Sequence, residues 1–186
     1  MMHISVDIET FSTAPDASIA AIGAAAWDGS GWTNNFYIVV DDPDGRFDPR
    51  TIRWHGALPK PTETMGVETE AVPLVDALMQ FTDYLKGCKA HVDGSAKIWS
   101  HATFDLPVLH SAYRRANRVV PWHRRNTRDL RTLYDLSGGR PKCKETLDGI
   151  EHNALADAIY QREEVYVCYY NLGMPFADAW GEGVFG

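Results

Sequence analysis

The chain has 186 residues, of which 45% are hydrophobic and 23% are charged, and its formal net charge is −7. This length supports one well-buried core, and the composition is that of a globular protein rather than a disordered one. No apolar run approaches the roughly 20 residues of a membrane span, the N-terminus lacks a secretory pattern, and the three cysteines form no CxxC pair, so we expect a cytoplasmic protein with reduced thiols.

The predicted elements, taken in chain order, are those of a mixed α/β protein. A buried strand covers Ile4–Val6, and the apolar stretches Ile19–Trp27 and Trp32–Val40 flank a turn typical of an antiparallel hairpin. A further strand at Lys97–Ser100 lies among helices predicted at Pro49–His55, Val72–Leu85, Leu106–Ala116, Asp129–Leu136 and Ala154–Leu172. This order indicates one domain over residues 1–186, with a mixed sheet that opens with three antiparallel strands, helices on both faces, and an irregular tail from about residue 173.

The first strand leads into two acidic residues, Asp7 and Glu9, which are separated by one position. Side chains at this spacing project from the same face of a strand. Two carboxylates on the buried side of a central strand repel each other and are costly to desolvate, and a bound divalent cation would remove that cost. The pair predicts a hard-metal site for Mg²⁺ or Mn²⁺, and an acidic loop just beyond the strand end is the alternative.

A second acidic residue of interest, Asp105, lies where the strand ending at Ser100 leads into a helix. A metal ligand at this junction is one interpretation. The other is structural, because aspartate is a favoured N-cap and Pro107 fits the first turn of the helix that follows.

Three polar residues lie at the start of the last predicted helix. His152 and Asn153 are adjacent, and Asp157 follows four residues after Asn153. Asn153 is a good N-cap candidate, which makes His152 the residue before the cap and Asp157 the fourth helical residue. Side chains at these two positions meet in the hydrophobic staple. An imidazole and a carboxylate there have no obvious packing purpose, which favours a functional pair over two exposed polar residues.

The charge is distributed unevenly. Residues 114–144 hold ten of the 18 basic residues and only two acids, which gives this segment +8 and leaves −15 for the rest of the chain. A basic segment in a chain with metal-binding carboxylates fits a phosphodiester substrate. The alternative is a solvated helix face and loop.

In this order the motifs resemble the three exonuclease motifs of the DEDDh branch of DnaQ-like 3′–5′ exonucleases: Asp7-x-Glu9, Asp105 preceded by Phe104, and His152 with Asp157. The flanking residues are similar to the RNase AS-like subgroup, which comprises mycobacterial exoribonucleases and phage proteins of the exodeoxyribonuclease VIII type. The similarity covers roughly residues 3–170 and includes segments 52–55, 113–115, 121–122 and 128–133.

The resemblance implies a ribonuclease-H-like fold and hydrolysis of phosphodiesters with two Mg²⁺ or Mn²⁺ ions per active site. Asp7, Glu9, Asp105 and Asp157 would hold the ions, with Asp7 between them. His152 would act as general base, a role for which the histidine side chain is suited. The implied partner is the 3′ end of single-stranded RNA or DNA, with RNA favoured, and the implied products are nucleoside 5′-monophosphates. A homodimer is also implied.

Seven further residues are predicted to contact the substrate: Ile8, Thr10, Trp54, His101, Phe104, Arg114 and Arg128. Trp54 and Phe104 would stack on terminal bases, although both residue types are also common in protein cores. The arginines would contact phosphates, and the backbone around Ile8 and Thr10 would contact the terminal sugar. His101 stands where many DnaQ-like enzymes have Asn, which leaves that contact open.

Two other functions share these residues. One is a nucleic-acid-binding module without catalysis, which has no need to keep four acids and a histidine. The other is a phosphohydrolase acting on nucleotides or very short oligonucleotides, which differs only in substrate length.

Overall fold

A six-stranded mixed sheet forms the centre of the molecule. The computed structural model describes residues 2–55, 70–88, 96–143 and 152–174. In chain order its strands are β1 (His3–Thr10), β2 (Ile19–Trp27), β3 (Thr33–Asp41), β4 (Val72–Pro73), β5 (Lys97–Ser100) and β6 (Thr127–Asp129). They lie in the order β4-β3-β2-β1-β5-β6. The first three are antiparallel and β5 joins β1 in parallel, which confirms the predicted opening of the sheet.

The helices of the described residues are α1 (Pro49–His55), α2 (Leu74–Gly87), α3 (Asp105–Arg115), α4 (Leu130–Leu136) and α5 (Ala154–Asn171). A single 3₁₀ turn at Arg124–Asn126 precedes β6. Among these helices, none has both the length and the apolar character required to cross a membrane.

Successive residues of β1 face opposite sides of the sheet. Ile4, Val6 and Ile8 lie in a hydrophobic core with side chains of α2 and α3. On the other face, the Ser5 hydroxyl donates a hydrogen bond to the carbonyl of Ala158 in α5. A second hydrophobic cluster on that face joins β2 and β5 to α4 and α5. Helices therefore cover both faces, as predicted.

Two short strands are missing from the predicted elements. The helix predicted from Val72 begins at Leu74, because Val72 and Pro73 pair with the end of β3. The three residues of β6 are too few to show strand periodicity, and they pair with β5. The predicted tail lies almost wholly outside the described residues, which end at 174.

Candidate active site

β1 places Asp7 and Glu9 on the face of the sheet that α5 covers. Asp7 pairs across the sheet with Gly23 of β2. A Cβ atom on Gly23 would lie 2.1 Å from the backbone carbonyl of Ala154, the first residue of α5. The absence of a side chain at Gly23 therefore lets the start of α5 lie directly on the sheet beside the two acids.

The start of α5 has the cap that its sequence predicts. The Asn153 side-chain oxygen accepts hydrogen bonds from the backbone N–H groups of Leu155 and Ala156, at 3.1 and 3.0 Å. Just before this cap, His152 has a left-handed backbone with φ of 62°. Ligand atoms of Glu9, His152 and Asp157 all lie within 4.8 Å of one another. Two helix-start residues and one strand residue thus form one group.

A second group forms at the start of α3. Ligand atoms of Asp7, His101 and Asp105 lie within 4.8 Å of one another. Asp105 is only 2% exposed, and its carboxylate accepts a hydrogen bond from the His101 backbone N–H at 2.9 Å. The N-cap position of α3 is occupied by Phe104, so Asp105 is the first helical residue rather than the cap.

Crowding and burial favour the protonated forms of these acids. Burial raises the pKa of Glu9 to about 8, and the neighbouring charges of Asp157 and Asp105 add to the effect. Burial also raises the pKa of Asp105 to about 7 and that of Asp7 well above its ordinary range. Carboxylate oxygens are the ligands that Mg²⁺ and Mn²⁺ prefer, and a divalent cation would offset the repulsion. The residues present therefore fit a metal centre.

His101 is suited to a place beside these acids as a neutral group. Burial lowers the pKa of His101, and the positive charges of Arg131 and Arg140 lower it further. Both effects favour the neutral imidazole, which has a nitrogen lone pair for a metal ion or a substrate donor.

Gln161 is a site residue for which the motifs predict no role. Its Nε2 donates a hydrogen bond to Asp7 Oδ1 at 2.7 Å, and the residue is only 3% exposed. Gln161 lies four residues after Asp157, which is the spacing of neighbours on one helix face. That spacing, applied to a catalytic helix, is the signal by which the sequence could have indicated it.

A cavity of about 410 Å³ opens beside Glu9. Four predicted substrate contacts line it: Ile8, Thr10, Trp54 and Phe104. Thr13, Arg50 and Thr51 also line it and are absent from the predicted set. The Trp54 side chain is 46% exposed, and its ring meets the His152 ring edge-on, with centroids 4.5 Å apart. The cavity and the group of ionisable residues are therefore contiguous.

The two predicted arginine contacts lie apart from this cavity. Arg128 in β6 donates hydrogen bonds of 2.8 Å to the backbone carbonyls of Arg125 and Thr127, which gives it a structural role. Arg114, near the end of α3, is exposed and lines a different cavity. Contacts of these two side chains with phosphate stay predictions.

Comparison with solved structures shows the fold. Exonuclease I with bound product superposes with a TM-score of 0.58 at 18% identity, over 89% of this chain and 43% of that protein. E. coli exonuclease I in complex with a dT13 oligonucleotide gives 0.53 at 17% identity, over 92% and 40%. The cell-death related nuclease CRN-4 gives 0.61 at 14% identity, over 92% and 64%. The chain thus spans about two fifths of the length of exonuclease I.

The fold is the ribonuclease-H-like fold of DnaQ-like exonucleases, as the sequence predicts. No curated protein matches the sequence. The family model of the 3′–5′ exoribonuclease Rv2179c-like domain, however, matches residues 2–169. The chain therefore belongs to the Rv2179c-like 3′–5′ exoribonuclease domain family.

Proposed function

We propose that this protein hydrolyses single-stranded nucleic acid from its 3′ end in a metal-dependent reaction, with RNA favoured over DNA. One observation carries the proposal. Four acids and two histidines from β1, the start of α3 and the start of α5 form two adjacent groups, each with ligand atoms within 4.8 Å. A binding module without catalysis has no use for such crowded and costly acids.

Two Mg²⁺ or Mn²⁺ ions fit the two groups of acids. Asp105 lies in one group with Asp7, and the charges of Glu9 and Asp157 also act on Asp7, so Asp7 would help to hold both ions. When bound, such ions polarise the scissile phosphate and stabilise the charge that develops on its oxygens. The His101 imidazole lies with Asp7 and Asp105, so it is a candidate ligand that the four-acid assignment leaves out.

His152 would act as the general base. It would take the proton of the attacking water while the water oxygen bonds to phosphorus and the bond to the 3′ oxygen breaks. The leaving oxygen then takes a proton from solvent, and a nucleoside 5′-monophosphate is released. The carboxylates of Glu9 and Asp157 lie close enough to stabilise the imidazolium that forms.

The cavity beside Glu9 would hold the terminal nucleoside. Its volume of about 410 Å³ is within the usual range of small-molecule sites. Trp54 and Phe104 offer ring faces on which a base can stack, and a stacked base is worth about 1–3 kcal/mol. Ile8 and Thr10 also line this cavity, so their backbone would contact the terminal sugar. The preference for RNA rests on family membership and would depend on a contact with the 2′-hydroxyl.

End-labelled RNA and DNA of matched sequence test the proposal. We expect stepwise shortening from the 3′ end with Mg²⁺ or Mn²⁺, faster for RNA, and none after chelation with EDTA. Asp7→Asn and Asp157→Asn variants should lose activity and keep their circular dichroism spectra. The proposal fails if neither nucleic acid is shortened, or if shortening persists in EDTA.

The predicted homodimer is a separate proposal. Light scattering of the purified protein would give a mass near twice the 20.8 kDa of the chain if the prediction holds. A mass of one chain at all accessible concentrations would contradict it.

A further inference from the structure

A second cavity lies along the outer side of α3, next to the one proposed for the terminal nucleoside. Its volume is about 800 Å³, and its lining comes from the loop after β1, from one side of α3 and from the residues that follow α3. Both cavities take part of their walls from the same two segments, the loop after β1 and the start of α3. Thr13 and Phe104 line the first, while Pro15 and Pro107, two and three residues further along, line the second.

The charge of this second cavity is positive once internal pairs are counted. Asp16, the acid in its lining, forms a two-point ion pair with Arg46, with N–O distances of 3.0 and 3.1 Å. The neighbouring Arg115 is likewise engaged by the buried carboxylate of Asp42. These pairs leave two lining cations, Arg114 and Arg118.

The two remaining guanidinium groups are available to a ligand. Both are exposed and lie four residues apart around the end of α3. Arg114 has no side-chain hydrogen bond or ion pair with any residue that the structure describes. Within the same set, the one side-chain hydrogen bond of Arg118 is to the Met79 sulfur, at 3.3 Å. Between them, Pro107 and Val119 give apolar surface. Cations along a groove with apolar surface suit a single strand of nucleic acid.

We infer that this cavity binds the nucleotides upstream of the 3′ terminus, with Arg114 and Arg118 on their phosphates. The inference rests on the proposed function, because the strand must run from the active site over the shared walls. It makes the enzyme favour long substrates: a dinucleotide fills only the first cavity, whereas a 20-mer fills both.

The test compares the double variant Arg114→Gln/Arg118→Gln with Arg124→Gln/Arg125→Gln. Both remove two exposed charges from the same basic segment, but Arg124 and Arg125 do not line the cavity. The readout is kcat/KM for a 20-mer divided by kcat/KM for a dinucleotide. We expect the cavity variant to lower this ratio about tenfold, and the control variant to keep it within twofold.

Binding provides a second readout that does not need catalysis. Fluorescence anisotropy of a labelled 20-mer in EDTA gives the slope of log affinity against log salt. Each lost phosphate contact reduces the slope by about 0.7 for a single strand, so the cavity variant should lose about 1.4 and Arg118→Gln alone about 0.7. Wild-type protein that binds the 20-mer without hydrolysing it would refute the proposed function, and the salt slope of the cavity variant would then decide separately whether this cavity binds the strand. An unchanged slope and ratio in the cavity variant, or equal losses in the control, would overturn the inference and favour another occupant such as a protein.

Discussion

Replacing Gln161 with Met should weaken metal binding with little change in stability. The amide donates to Asp7 Oδ1 at 2.7 Å, and this bond lowers the pKa of a carboxyl group that burial and three neighbouring acids raise. A hydrogen bond to a charged group contributes about 1.5–3 kcal/mol, which corresponds to roughly 10- to 150-fold in affinity. Residues that orient metal ligands typically contribute about 10- to 100-fold, which agrees.

Stability should respond differently, because Gln161 is not fully satisfied. Its Oε1 is buried and has no hydrogen-bond partner among the described residues. Met has a similar length and removes that unpaired oxygen together with the donor, so the two effects on the free energy of unfolding offset each other. We expect the melting temperature to stay within a few degrees of wild type.

Calorimetric titration with Mn²⁺ at pH 7.5, without nucleic acid, measures the affinity directly. Ser5→Ala is the matched control, because Ser5 is buried, lies two residues before Asp7 and bonds to α5 through the Ala158 carbonyl. Its loss perturbs the contact of β1 with α5 without touching a carboxylate. The reasoning is refuted if Gln161→Met binds Mn²⁺ within twofold of wild type. It is also refuted if Ser5→Ala weakens binding equally, since general packing would then explain the effect.

Three further predictions concern Gly23 under the start of α5, the buried His3 and the proposed general base His152. Gly23→Ala should lower the free energy of unfolding in urea by about 1–3 kcal/mol and remove most of the activity, because its Cβ would overlap the Ala154 backbone. Gly29→Ala, whose added Cβ lies in open space, should change neither the stability nor the activity. Burial lowers the pKa of His3 to about 3, so below pH 6.5 the unfolded chain binds a proton at His3 that the folded chain does not bind. The free energy of unfolding should therefore be about 3 kcal/mol lower at pH 4 than at neutral pH. His3→Gln should flatten this part of the pH dependence, and parallel curves for the variant and the wild type would contradict the reasoning. His152→Ala should lower kcat about 10²- to 10⁴-fold at an unchanged melting temperature, and near-normal turnover would exclude the base role.

Local signals in the sequence were enough to predict the parts of the site that lie on regular elements. The two-residue spacing of Asp7 and Glu9 predicts one strand face, and the Asn153 cap predicts where α5 begins. Together they specify the directions of three site side chains, those of Asp7, Glu9 and Asp157, because strand alternation and helix starts are local properties. The antiparallel pairing of β1 with β2 is also between neighbouring segments, and the order of the predicted strands indicates it.

Contacts between distant segments could not be predicted in the same way. The bond from Gln161 to Asp7 joins residues 154 positions apart, and it depends on how closely α5 approaches the sheet at Gly23. Similarly, Arg128 and Arg114 are equivalent as members of a basic segment, yet one donates to backbone carbonyls and the other faces solvent. Which cations remain free depends on tertiary packing, which composition does not encode.

Both helices that supply acids to the site begin there. Asp105 is the first residue of α3, and Asp157 lies in the first turn of α5. The aligned peptide dipoles of a helix place roughly half a positive elementary charge at its N-terminus. Two such termini converge on the four carboxylates, so the backbone itself offsets part of their mutual repulsion. This favourable field would help the chain to fold around a cluster of acids before any cation contributes.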